Sequence, residues 1–267
     1  QAFAARGQTG VGCRRVDLAS RPTYGRLMDR RPITLYAFAI SPFVHKVAAV
    51  LDYKGLSYRT VFIHPLRKAE IKFSTKKLVP IIDDDGKIVE DSTDILLYLE
   101  EKYPTPPALP ADPAARKAVL ALEDWIDSTF VPDFFVANNL GRPGNRKRVI
   151  GVLVRTAPLN AVERVVLPIA SSFVLRKVIA EATRKLPQAP RALDAFEERL
   201  GGGPFLGGQP AVSLADLAAY GVLSFIVDNQ LEGADAVLAH AKISAWMSRV
   251  RPLTSDGRRM LSADVAV

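Results

Sequence analysis

The sequence predicts a small α/β domain of order βαβαββα followed by an all-helical domain. Three observations carry this reading. Strand and helix signals alternate over residues 32–103. Residues 104–113 then hold five prolines in ten positions, a stiff linker and domain boundary. Over residues 114–250 the apolar side chains recur at helical spacing. An Arg-rich extension (1–31) and a tail (251–267) flank the two parts.

The elements follow in chain order. Ile33 to Phe38 is a continuous apolar run and reads as a buried strand. Ser41-Pro42 supplies an N-cap with proline at the first helical position. Val44, Val47, Ala48 and Leu51 then share a helical face, and Gly55 ends the helix. Tyr58 to Ile63 is a second strand, parallel to the first through a right-handed crossover. Lys68 to Phe73 fits a short helix. Val79-Pro80-Ile81-Ile82 and Lys87-Ile88-Val89 are strands joined by a hairpin turn at Asp84-Asp85-Gly86. Asp91-Ser92 caps a last helix that turns Ile95, Leu96, Tyr98 and Leu99 inward.

In the helical part, Ala115 to Phe130 follows one stripe, and Pro132 is expected to end or kink it. Residues 141–148 read as a basic loop. Residues 160–186 mix apolar and basic side chains, with Pro168 inside. Ala192 to Leu200 stops at Gly201-Gly202-Gly203. Ser213-Leu214-Ala215-Asp216 has the form of a capping box ahead of a core stripe from Leu214 to Phe225. Ile243, Trp246 and Met247 mark one more helix, and both Trp125 and Trp246 are expected in the core.

Composition narrows the function. Lysine and arginine number 36 against 28 acidic residues, a net charge of +8. Residues 1–31 carry seven arginines and two aspartates, so the extension contributes +5 and the body only +3. A nucleic-acid partner is therefore not expected. The single cysteine, Cys13, excludes an intramolecular disulfide or a multi-cysteine metal site, and no metal is expected. The Arg-rich, acid-poor extension has the composition of a targeting remnant, which implies a plastid or mitochondrion; otherwise the protein is expected in the cytoplasm. The segment 141–186 holds ten basic residues against Glu163 and Glu181. It reads as a solvated basic helix pair, or as a surface for an anionic membrane, an acidic lipid or a partner protein.

Four separated features, in order, resemble the glutathione transferase superfamily. They are Ser41-Pro42-Phe43, Val79-Pro80, Glu90-Asp91-Ser92 and Ser213-Leu214-Ala215-Asp216. Glu70 to Ser74 with Lys77 to Ile81, and Pro204 to Gln209 running into Leu214–Leu223, are similar to the membrane-associated type-2 prostaglandin E synthases. Those synthases carry Cys-Pro-Phe-Cys where this chain has Ser41-Pro42-Phe43-Val44, a tetrapeptide more like the serine-type transferases. The resemblance implies a thioredoxin-like first domain that binds glutathione.

It also implies roles for single residues. Ser41, at a helix N-terminus, would stabilise the glutathione thiolate by a hydrogen bond and the helix dipole, worth ~1.4–2.7 kcal/mol. A cis Val79-Pro80 would present Val79 to the peptide of glutathione. Asp91 and Ser92 would receive the γ-glutamyl ammonium and carboxylate. Lys77, or Lys76, would reach the glycine carboxylate. Each has an ordinary alternative in helix capping or surface charge, and His45 is expected as an exposed helical residue. Three functions compete: a transferase acting on a hydrophobic electrophile, a prostaglandin E synthase-like isomerase, and a non-catalytic subunit of a larger assembly. A homodimer is expected in the first case.

Overall fold

The computed structural model describes residues 31–254. Residues 1–30 of the N-terminal extension, with Cys13, and the tail beyond Thr254 lie outside the described residues.

A four-stranded sheet of order β2-β1-β3-β4 organises the first part. Its strands are β1 (Ile33–Ala37), β2 (Tyr58–Phe62), β3 (Ile81–Asp84) and β4 (Lys87–Glu90). β1 pairs in parallel with β2, setting Leu35 opposite Thr60, and antiparallel with β3, setting Leu35 opposite Ile82. Helix α1 (Pro42–Tyr53) makes the crossover, and α2 (Ser92–Lys102) follows β4. Ile33, Leu35 and Ala37 alternate into the core as a central strand requires. Gly55 closes α1 at φ 63°, where its N–H reaches Asp52 and the next N–H, of Leu56, reaches Leu51. Asp85 and Gly86 both take positive φ in the β3–β4 hairpin, and the Asp83 carboxylate accepts the Gly86 N–H at 2.7 Å.

The helix expected over Lys68 to Phe73 shrinks to one 3₁₀ turn, Ala69–Ile71. Lys68 is left-handed at φ 46°, and Glu70 turns back to accept the His64 N–H at 3.0 Å. Side chain and backbone thus divert the hydrogen bonds that a longer helix would need.

The second part is helical: α3 (Pro113–Trp125), α4 (Pro143–Thr156), α5 (Ala161–Val174), α6 (Arg176–Lys185), α7 (Ala189–Leu200), α8 (Leu214–Asp228), α9 (Ala234–Ala239) and α10 (Ala241–Val250). Pro132 does not end the run that begins at α3. The chain opens into a π-helix, Ile126–Gly141, and continues through the proline. Proline has no N–H to give to the ordinary ladder, and the wider turn absorbs it. Residues 141–148 are not a loop either. Pro143 occupies the first turn of α4, a position where its missing N–H costs nothing.

The core helix is α8, buried along twelve of its fifteen residues. The Asp216 carboxylate accepts bonds from the Ser213 N–H (2.9 Å) and hydroxyl (2.7 Å), the Leu206 N–H (2.8 Å) and the Trp246 indole (2.7 Å). Burial still holds its pKa above the usual carboxylate value. Residues between α2 and α3 are tied down by a second buried group. Lys54 Nζ meets Glu100 at 2.7 Å and the carbonyls of Tyr103 and Pro106, while Glu100 accepts the N–H groups of Ala108 and Leu109. The Ala108 carbonyl then accepts the Leu214 N–H at 2.8 Å, at the start of α8.

Candidate functional site

A cleft of about 310 Å³ opens beside the N-terminal ends of α1 and α2. Its walls comprise Phe43 of α1; Lys76, Leu78, Val79 and Pro80 of the loop before β3; Glu90, Asp91, Ser92 and Thr93 at the β4–α2 junction; and Asp127 of the π-helix. Of the residues singled out from sequence, Val79, Pro80, Asp91 and Ser92 therefore share one cavity. The Val79-Pro80 peptide is cis.

Asp91 takes φ 82°, rare for a residue with a side chain, and its Oδ1 caps α2 by accepting the Thr93 N–H at 3.0 Å. Ser92 is buried at the first helical position. Glu90 accepts the Ser74 hydroxyl at 2.9 Å, and Ser74 in turn accepts the Lys77 N–H at 2.9 Å. That chain fixes the loop carrying Lys76 to Pro80 against the sheet.

Ser41 N-caps α1 and is half-buried. Its carbonyl accepts the N–H groups of Val44 and His45, whereas its hydroxyl makes no capping bond. It stands two residues before Phe43 and is not among the cleft's lining residues. Lys77 is not among them either. Its ammonium turns back onto the carbonyls of Ile71 (3.0 Å) and Lys72, at a left-handed backbone of φ 52°. Lys76 is the lysine on the cleft wall. His45 is buried rather than exposed: its Nε2 meets the Ala39 carbonyl at 2.8 Å and its ring packs 4.7 Å from Phe225. Burial pushes its pKa down to about 4, so it is neutral near pH 7.

Behind the cleft lies a buried charge cluster absent from the sequence reading. Lys46 is wholly buried; its ammonium pairs with Glu123, with Asp127 Oδ2 at 2.6 Å and with the Thr93 hydroxyl at 3.4 Å. Thr93 also donates to Glu123 at 3.2 Å. Burial raises the Asp127 pKa to about 6, against the opposing pull of Lys46. Its Oδ1 is buried without a partner. One signal was available in the sequence. Lys46 interrupts the apolar run of α1, and Glu123 lies on the same helical stripe as Val119 and Ile126.

The cleft thus sets three carboxylates (Glu90, Asp91, Asp127) against one lysine, beside two helix N-termini. It suits an elongated zwitterion with an ammonium and carboxylates.

The sheet and the helical part together define a thioredoxin-like domain joined to a helix-rich domain. The family model described as "Glutathione S-transferase, N-terminal domain" matches residues 35–107, and "Glutathione S-transferase, C-terminal domain" matches 179–249. The chain belongs to the glutathione S-transferase family.

Among its relatives, mouse prostaglandin E synthase 2 is 27% identical over 284 residues, across 84% of this chain and 71% of that protein. Rat maleylacetoacetate isomerase is 27% identical across 75% of this chain and 94% of its own length. The match to Ralstonia maleylpyruvate isomerase is higher, 36%, but covers 33% of this chain and 44% of that protein. Among solved structures, the β-etherase LigF from Sphingobium superposes with a TM-score of 0.62 at 22% identity, over 88% of this chain and all of that one. At such identity this likeness shows the fold alone.

Proposed function

We propose that the protein is a glutathione-dependent transferase whose cleft holds the tripeptide and whose Ser41 favours the thiolate. The observation that carries this reading is the convergence of Val79, Pro80, Asp91 and Ser92 on one cavity. In this reading Ser92 and the first turn of α2 receive the γ-glutamyl carboxylate. The ammonium lies between Asp91 and Asp127, both of which line the cleft. Val79 meets the peptide portion as an added strand would. Lys76, rather than Lys77, reaches the glycine carboxylate. The sulfur lies toward the start of α1. The helix dipole there and a Ser41 hydroxyl uncommitted to capping both favour a negative charge. A hydrophobic electrophile enters from the side of Phe43 and Leu78.

Calorimetric titration with glutathione tests the binding step, and a chromogenic aryl halide tests the chemistry. Glutathione is expected to bind, and Ser41→Ala is expected to lower turnover at least about tenfold while affinity changes little. Unchanged turnover in that variant would remove Ser41 from the mechanism. A second reading, glutathione-dependent isomerisation, is favoured by the relatives named as isomerases and by the prostaglandin E synthase likeness. Assay with maleylpyruvate, maleylacetoacetate and a prostaglandin endoperoxide separates it from transfer. A homodimer remains part of the proposal and is read by sedimentation.

A further inference from the structure

Helix α5 presents its apolar side to water. Val162, Val165, Val166, Ile169 and Phe173 recur at i, i+3, i+4, i+7 and i+11 and so form one stripe. On a helix packed against a core such a stripe is buried. Here its members are exposed, from 51% at Val166 to 75% at Phe173. The inward side of the helix is narrow, with Leu167 and Ala170 half-buried, and polar groups help hold it to the protein. Ser171 is its one buried residue. Glu163 pairs with Arg67 at 3.0 Å and His64 at 3.3 Å, and Arg164 donates to the carbonyls of Val154 and Leu159.

Charge frames the stripe. Exposed Arg176 and Lys177 follow its C-terminal end. At its N-terminal end the partner of Glu163, Arg67, adjoins Leu66, which is 67% exposed. A basic pair therefore stands at the C-terminal end of an apolar face, while at the other end the Arg67 charge is offset by Glu163. Acidic headgroups would neutralise Arg176 and Lys177 as the stripe enters the acyl layer, whereas a second copy laid parallel, stripe to stripe, would set the two basic pairs against each other. Fourteen residues span only about 21 Å, and no helix among the described residues is long and apolar enough to cross a membrane.

We propose that this face of α5 docks on an anionic lipid surface, lying along it with Phe173, Ile169 and the valines among the acyl chains and Arg176, Lys177 and Arg67 at the headgroups. The proposal is independent of the reading of the cleft.

Flotation of the full chain with phosphatidylcholine–phosphatidylglycerol vesicles tests it, with pure phosphatidylcholine as control. The wild-type chain is expected to float with the anionic vesicles at low salt and to be released as salt rises. Ile169→Asp with Phe173→Asp is expected to weaken binding at least about tenfold, and Arg176→Glu with Lys177→Glu several-fold. These side chains are exposed, so circular dichroism should show the native fold in both variants. Phe173→Trp gives a second readout: its emission should shift to the blue when anionic vesicles are added. Wild-type protein that stays with the solvent, equal binding to neutral vesicles, or an unshifted tryptophan overturns the proposal. So does a wild-type dimer that the Asp variant converts to monomer without any change in flotation.

Discussion

Asp127 is asked to do two things with one carboxylate. Its Oδ2 is held by Lys46 at 2.6 Å, and the residue lines the cleft. Burial is the largest influence on its pKa, the charges of Glu123 and Asp91 add to it, and Lys46 opposes it; the outcome is about 6. The carboxylate form therefore appears as pH rises through 6, and that form attracts an ammonium. Glutathione affinity is expected to increase between pH 5 and pH 7 and then to level off. Asp127→Asn keeps the shape but removes the charge. It should weaken binding about tenfold or more at pH 7, the cost of losing a charge-assisted hydrogen bond, and should flatten the profile. Isothermal titration at several pH values reads both effects. An unchanged slope in the variant would assign the ammonium elsewhere.

At the scale of elements, the contact between α1 and α8 sets the position of the helix that carries Ser41. Gly221 makes that contact close: a Cβ there would lie 2.5 Å from the His45 carbonyl oxygen and 2.8 Å from the Lys46 nitrogen. Both are backbone atoms of α1, so no side chain can move aside. Gly221→Ala must push the helices apart and is expected to destabilise the fold by about 1–3 kcal/mol, read from urea unfolding. Locally encoded elements were legible in the sequence. Ser41-Pro42, Gly55 and Asp85-Gly86 each carry their own start, stop or turn chemistry, and the strands show their apolar runs. Pro143 carried a helix start as well, obscured by the basic residues around it. The π-helix through Pro132 was not legible, because the usual consequence of an interior proline is a break. The burial of His45 depends on a glycine 176 positions away, which no local pattern announces. The site divides in the same way. Val79, Pro80, Asp91 and Ser92 sit at the ends of elements, where motif spacing is informative. Lys46 and Asp127 meet across 81 positions and could be joined only by the fold.

For the whole molecule, that cluster is a buried charged contact between the two parts of the chain, distinct from the more exposed pairing of Glu163 with Arg67 and His64. Lys46 comes from α1, Thr93 from α2, Glu123 from α3 and Asp127 from the π-helix. A buried lysine between two carboxylates is not a source of net stability by default, since desolvating the ions offsets much of their attraction. Removing one member is different. Lys46→Met would leave Glu123 and Asp127 facing each other with no cation between them. The expected loss is about 3–5 kcal/mol, the usual cost of an uncompensated buried charge. Part of it should return at low pH, where Asp127, whose pKa burial raises to about 6, takes up a proton and the repulsion disappears. Part should also return at neutral pH in Lys46→Met with Glu123→Gln, which removes one of the two charges. Urea unfolding of the wild type and both variants at pH 5 and pH 7 makes the comparison. If Lys46→Met were equally destabilised at both pH values and unrelieved by Glu123→Gln, the lysine would be acting through its packed methylene stem and not through its charge.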